Sequence, residues 1–263
     1  MQTSKVIEIN SHKFYYSLQG EGKCLILIHG YGAAGYIWNS IIPLIDKQWC
    51  VLIPELPGSG ISDVQPNASI EDFADMLHAI LQKENISQCV IIGHSMGGYI
   101  AMQFAKKYAS MLLGVGLLHS HVFADDEEKK AGRNKSAEFI IQHGAEVYLK
   151  DFAPKLFSKE SDKKLIDTHL KNIAPTPVNG LTTHLKAMAN REDTSDVLRN
   201  LNVPVFFGIG EDDGIMPKEV LLKQTSIAAA SQLELFNNSG HMSMLEQPAE
   251  LAKAINTFLN FCS

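Results

Sequence analysis

The chain has 263 residues, 45% of them hydrophobic and 20% charged, and a formal net charge of −6. That size allows about three-quarters of the unfolded surface to be buried, and an acidic balance without a Lys/Arg tract argues against nucleic acid as a partner. The first residues lack an apolar signal region and no run approaches about eighteen apolar residues, so neither a signal peptide nor a membrane span is expected.

Lys5 to Gln19 alternates weakly around Asn10-Ser11, a hairpin signal between two edge strands. Strands are then expected around Leu27, Val51, Val90, Val115, Phe206 and Leu235, and helices near Tyr36–Leu44, Ile70–Gln82, Tyr99–Tyr108, Lys218–Ile227 and Ala249–Leu259. Ser69 followed by Asp72 reads as an N-cap with an acid in the first turn, and Pro217 suits a helix start. Alternating strands and helices imply an α/β fold, a mostly parallel sheet with helices on both faces. From Val122 to Ala189 the strand signal vanishes, and Phe139, Ile140, Val147, Tyr148, Phe152, Leu156 and Phe157 recur at helical spacing. The expected organisation is a core of residues 1–121 and 190–263 with a helical cap, 122–189, over one edge of the sheet. That insert carries eleven Lys/Arg against ten Asp/Glu, which reads as a solvated mixed-charge surface rather than an anion-binding lid. Cys24, Cys50 and Cys89 fall in core strands, Cys262 lies at the end, and no C-x-x-C occurs. A reduced, cytoplasmic protein is expected.

Gly93-His94-Ser95-Met96-Gly97 directly follows the apolar run Cys89-Val90-Ile91-Ile92 and precedes a helical stretch. A G-x-S-x-G pentapeptide is weak alone. Strand, sharp turn and helix around it make a nucleophile elbow, in which the glycines avoid clashes across a strained turn. A serine nucleophile needs a base, and the base needs an orienting carboxylate. Asp213 follows the strand-like run Val203–Gly210, and His241 follows Leu233–Phe236. Both therefore lie past the C-terminal ends of strands, where open parallel sheets keep their sites. Spacing to Pro217 favours Asp213, with a slip to Asp212 left open. Upstream, His29-Gly30-Tyr31-Gly32 ends another apolar run, so the Tyr31 and Met96 N–H groups are candidates for an oxyanion hole. His119-Ser120-His121 would point both rings to one side of a strand. No third ligand shares a zinc spacing, so no metal is expected.

With these motifs the chain resembles the α/β-hydrolase superfamily over residues 12–121 and 190–263. His29-Gly30 is similar to its oxyanion loop, and Glu55 to Ser62 to its D-x-x-G-x-G-x-S turn, with Glu in place of Asp. Gly210 to Pro217 resembles the acid loop, and Gly240-His241 with Glu246 and Pro248 the histidine loop. The resemblance implies a Ser95–Asp213–His241 serine hydrolase of the carboxylesterase or enol-lactonase kind. It would act without a cofactor on small or medium esters, lactones or thioesters. Gly30, His94, His119 and Met242, with Phe139, Ile140, Tyr148 and Phe152 from the insert, are the expected pocket residues. Perhydrolysis or C–C bond hydrolysis on the same residues stays open, as do a triad-bearing ligand receptor and a homodimer.

Overall fold

The computed structural model of the protein describes residues 4–173 and 175–262. Its sheet contains β1 (Ser4–Ile9), β2 (His12–Gln19), β3 (Lys23–Ile28), β4 (Trp49–Pro54), β5 (Cys89–His94), β6 (Leu112–Leu118), β7 (Val205–Gly210) and β8 (Ser231–Phe236). The spatial order is β1-β2-β4-β3-β5-β6-β7-β8. β2 pairs antiparallel with β1 and β4, and every other pair is parallel. Asn10 and Ser11 turn the first hairpin with φ of 50° and 65°, the left-handed pair that matches strand twist. Only β1 of that hairpin is an edge, because β2 is bonded on both sides. β4, β5 and β7 are buried at every residue, as parallel strands covered on both faces must be.

The helices are α1 (Ile70–Lys83), α2 (Met96–Tyr108), α3 (Glu127–His143), α4 (Ala145–Phe152), α5 (Lys163–Ile173), α6 (Val178–Ala189), α7 (Ser195–Arg199), α8 (Lys218–Lys223), α9 (Ser243–Glu246) and α10 (Pro248–Leu259). One apolar layer joins Phe73, Leu77 and Ile80 of α1 with Ile100 and Phe104 of α2. The other joins Trp38 and Ile41 with Leu251, Ile255 and Phe258 of α10. α1 starts with a reciprocal cap: Asp72 N donates to Ser69 Oγ (3.1 Å) and Ser69 N to the Asp72 carboxylate (2.7 Å).

Four departures from the sequence reading have local causes. Residues 36–44 form two short 3-10 turns, Gly35–Trp38 and Ile42–Leu44, because Pro43 lacks the N–H a continuous helix needs. α2 begins at Met96 rather than Tyr99, since Gly97 and Gly98 depress helix propensity yet sit where the Ile28 carbonyl and the Ser120 side chain leave no room for a Cβ. α8 stops at Lys223, where the Thr225 and Ser226 hydroxyls turn back onto the Leu222 and Lys223 carbonyls and compete with helix bonds. The short α7 and α9 have too few residues for a periodic signal.

Residues 122–189 hold α3 to α6 and no strand among the described residues. Gly180 of α6 lies against Gly58, where an added Cβ would come 2.2 Å from the Gly58 carbonyl oxygen. That contact ties the insert to the turn after β4. No described helix is long and apolar enough to cross a membrane. Cys24, Cys50, Cys89 and Cys262 are buried free thiols.

Candidate active site

Ser95 follows β5, at the turn into α2, with φ 51° and ψ −116°, a conformation that costs a non-glycine residue about 1–3 kcal/mol. Its neighbours hold it there. Ser95 N donates to Leu118 O (2.9 Å), and Ser95 O accepts from Gly98 N (2.9 Å) and Ser120 Oγ (2.7 Å). A Cβ on Gly93 would lie 2.1 Å from Gly97 O, and one on Gly97 2.6 Å from Ile28 O. Glycine is required at both because the turn closes backbone on backbone. The serine, 8% exposed, opens into a cavity of about 480 Å³ that His241 also lines.

Asp213 is the carboxylate that meets the histidine. Its Oδ2 accepts from His241 Nδ1 at 2.7 Å, while Oδ1 accepts from Ile215 N and Met216 N at 2.9 Å each. Asp212 points elsewhere and accepts from Ser158 Oγ (2.9 Å). Burial would raise the Asp213 pKa, but the nearby His241 and the bonds from His119 and His241 outweigh it and hold the group well below the usual carboxylate range. Glu246 secures the histidine loop by accepting from Gly240 N (2.9 Å), Ser239 Oγ (3.0 Å), Ser158 N (2.7 Å) and Ser161 Oγ (2.6 Å). His241 N also donates to Leu156 O (2.7 Å).

His119 is a second partner of Asp213, with Nδ1 3.1 Å from the same Oδ2 and Nε2 2.8 Å from Ser243 Oγ. Burial lowers its pKa, so the ring is neutral. The Gly210 N–H also points at Nδ1 from 3.3 Å, which would favour the opposite tautomer. A hydrogen bond to a charged acceptor is worth about twice a neutral one. We therefore assign the proton to Nδ1, leaving Nε2 to accept from Ser243. His119, Asp213 and His241 could together hold a metal ion, but the hydrogen bonds at 2.7 and 3.1 Å already use the same atoms.

His94 backs the site, with its ring 4.8 Å from that of His241 and Nε2 2.8 Å from His241 O. Burial, with His241 and His119 nearby, keeps it neutral well below its ordinary pKa. His29 orients the loop after β3. Leu56 N donates to its Nε2 (3.1 Å), so Nδ1 carries the proton and donates to Gly30 O (2.9 Å). In a trans peptide the N–H opposes the C=O, so the Tyr31 N–H points away from His29. Among the described residues neither the Tyr31 nor the Met96 N–H donates to a backbone carbonyl.

The cavity wall corrects part of the expected pocket. His94, Tyr148, Phe152 and Met242 line it, with Tyr31 in edge contact with Phe152 at 5.6 Å. Gly30 lies behind Ser95, where a Cβ would meet Ser95 Cβ at 3.1 Å, and does not line the cavity. His119 does not line it either: β6 ends at Leu118, His119 takes φ 49°, and its ring drops under Asp213 while His121 faces the cavity. The expected common side for the two rings fails because alternation ends with the strand. Phe139 is 42% exposed and Ile140 is buried in the core. α3 instead turns Lys129, Gly132, Arg133 and Ser136 to the cavity, a stripe at i, i+3, i+4 and i+7. Sequence reasoning missed these four, and their spacing was the available signal. It also missed the apolar floor of Leu185, Met188, Ile215 and Met216.

The sequence model of a family described as "alpha/beta hydrolase fold" matches residues 23–248. A pimeloyl-[acyl-carrier protein] methyl ester esterase from Vibrio vulnificus is 23% identical over 260 residues, 94% of this chain and 98% of that protein. A thermophilic esterase from Thermogutta terrifontis superposes with a TM-score of 0.91 at 26% identity, covering 100% of this chain and 99% of that one. The enol-lactonase from Burkholderia xenovorans has the same fold, with a TM-score of 0.88 at 18% identity over 97% of this chain and 100% of that one.

Proposed function

The chain belongs to the α/β-hydrolase family, and from that premise we propose that it hydrolyses carboxylic esters, lactones or thioesters through an acyl-enzyme on Ser95. The observation that carries this reading is the 2.7 Å bond from His241 Nδ1 to Asp213, with Ser95 and His241 on one cavity. Ester chemistry is favoured because the Vibrio relative and the Thermogutta structure are both esterases by name.

In this mechanism Ser95 Oγ attacks the carbonyl carbon and its proton passes to His241 Nε2. Asp213 holds the other ring nitrogen protonated and stabilises the imidazolium that forms. The Tyr31 and Met96 N–H groups hold the oxyanion, where each donor is worth about 3 kcal/mol of barrier. His241 returns the proton to the departing alcohol or thiol. It then deprotonates a water that attacks the acyl carbon, and Ser95 leaves with the proton. His119 keeps Asp213 aimed. Residues 122–189 act as a cap that narrows the cavity, on a core of 1–121 and 190–263.

Turnover of p-nitrophenyl acetate and butyrate tests the proposal. Ser95→Ala should lower kcat by about a thousandfold or more, with circular dichroism and Tm unchanged. Ester turnover that survives Ser95→Ala would overturn it.

A further inference from the structure

One cavity wall carries two chemically different sets of groups: Ser95 and His241, and the α3 stripe with Lys129 and Arg133, with apolar Leu185, Met188 and Ile215 in the same wall. Among the described residues of that wall Asp125 is the one carboxylate. It is fully engaged, by Arg133 through Nε and by Arg191 Nη2 at 2.8 Å. Asp125 stays ionised: burial opposes this, but the two guanidiniums pull its pKa down to about 2. Asp125, Arg133, Arg191 and Lys129 therefore sum to a charge of +2 from one anion and three cations.

Arg133 is not saturated by this pairing. Two of its nitrogens face Asp125, and the third, Nη1, donates to the Met188 sulfur at 3.4 Å. A thioether is a weak acceptor, and a guanidinium has five N–H donors in a planar fork suited to a carboxylate. The Lys129 ammonium pairs with no carboxylate among the described residues. The Arg133 side chain is partly buried and Lys129 is exposed, and a charged acceptor in the cavity binds the third nitrogen of Arg133 better than a thioether does.

We infer that Arg133 and Lys129 form an anion subsite, and that the preferred ester bears a free carboxylate joined to it by an aliphatic spacer that suits the apolar wall. This rests on the ester hydrolysis proposed above and names its substrate class. The insert is near neutral as a whole, so its total charge hides the subsite, which comes from which face of α3 meets the cavity.

The test compares kcat/KM for two charged esters with their neutral counterparts. Monomethyl adipate, with the carboxylate on the acyl limb, is set against methyl hexanoate. The anion of 6-acetoxyhexanoic acid, with the carboxylate on the alcohol limb, is set against hexyl acetate. At least one charged member should be favoured about tenfold or more, the value of one charge-assisted hydrogen bond. Lys129→Gln and Arg133→Gln should each lower that ratio several-fold. Lys129 is exposed, so its variant keeps the test valid should Arg133→Gln fail to fold. Salt at about 1 M, where screening acts within about 3 Å, should shrink the ratio as well. Neutral esters cleaved through Ser95 as well as either charged ester would overturn this inference alone. An enzyme that cleaves neither set would instead overturn the ester hydrolysis beneath it.

Discussion

Replacing Asp213 with Asn keeps the shape and removes the charge, and the bonding around it dictates the outcome. Oδ1 accepts from two backbone N–H groups at 2.9 Å each. An amide that turned its NH2 toward them would lose both bonds, at about 1 kcal/mol each, and leave buried donors facing donors. The amide oxygen therefore stays on Ile215 and Met216, and the NH2 faces His241 Nδ1 and His119. His241 must then accept on Nδ1 and carry its proton on Nε2, toward Ser95, where a base needs a lone pair. In a serine protease the same change lowers kcat about ten-thousandfold, or about 5 kcal/mol of barrier. We expect a loss of that order for p-nitrophenyl acetate with KM little changed. Asp212→Asn, whose amide oxygen can still accept from Ser158 Oγ as Asp212 does at 2.9 Å, should lower kcat less than about threefold. Equal losses in the two variants, or Asp213→Asn retaining a tenth of the wild-type rate, would refute the reasoning.

Burial lowers His121, His169 and His184 to about 4 and His29 to about 3, against about 6.5 unfolded. The unfolded chain thus binds more protons below pH 6.5, and stability present above that value is lost as pH falls toward about 4. The slope per histidine is at most about 1.4 kcal/mol per pH unit. His184→Gln, which keeps a donor for Pro57 O at 2.8 Å, should flatten the urea-derived stability profile between pH 6.5 and 4 by about one proton, whereas an unchanged slope would mean that His184 protonates without unfolding. Phe139, exposed against the His143 ring, should tolerate Ala with no change in ester chain-length preference. Phe152→Ala, which removes a cavity wall, should change that preference, and the reverse pattern would show the cap to be turned the other way.

What the sequence disclosed and what it hid divide along range. The Ser95 turn is local: strand, glycines and helix lie within one continuous stretch, Cys89–His94 and Met96–Tyr108, and the geometry follows from that order. Asp213 and His241 are distant in sequence but each follows its own strand, so topology predicts their meeting. Two choices needed three dimensions. Asp212 and Asp213 are separated only by where each carboxylate turns, one to Ser158 and the other to His241. His119 lies 94 positions from Asp213, and its role depends on a positive φ that no pattern announces. In the insert, apolar spacing located helices but misjudged the face. Phe139 and Ile140 suggested an apolar lid, yet α3 buries little apolar surface, only Ala137 and Ile140. Its polar stripe is therefore free to meet the cavity.

The central claim is that Ser95 is the nucleophile, and a fluorophosphonate probe tests it most directly. The account predicts a single adduct by intact mass, mapped to the peptide containing Ser95, absent from Ser95→Ala and strongly slowed in Asp213→Asn. An adduct on any other residue of the folded protein, or none at all, would contradict it.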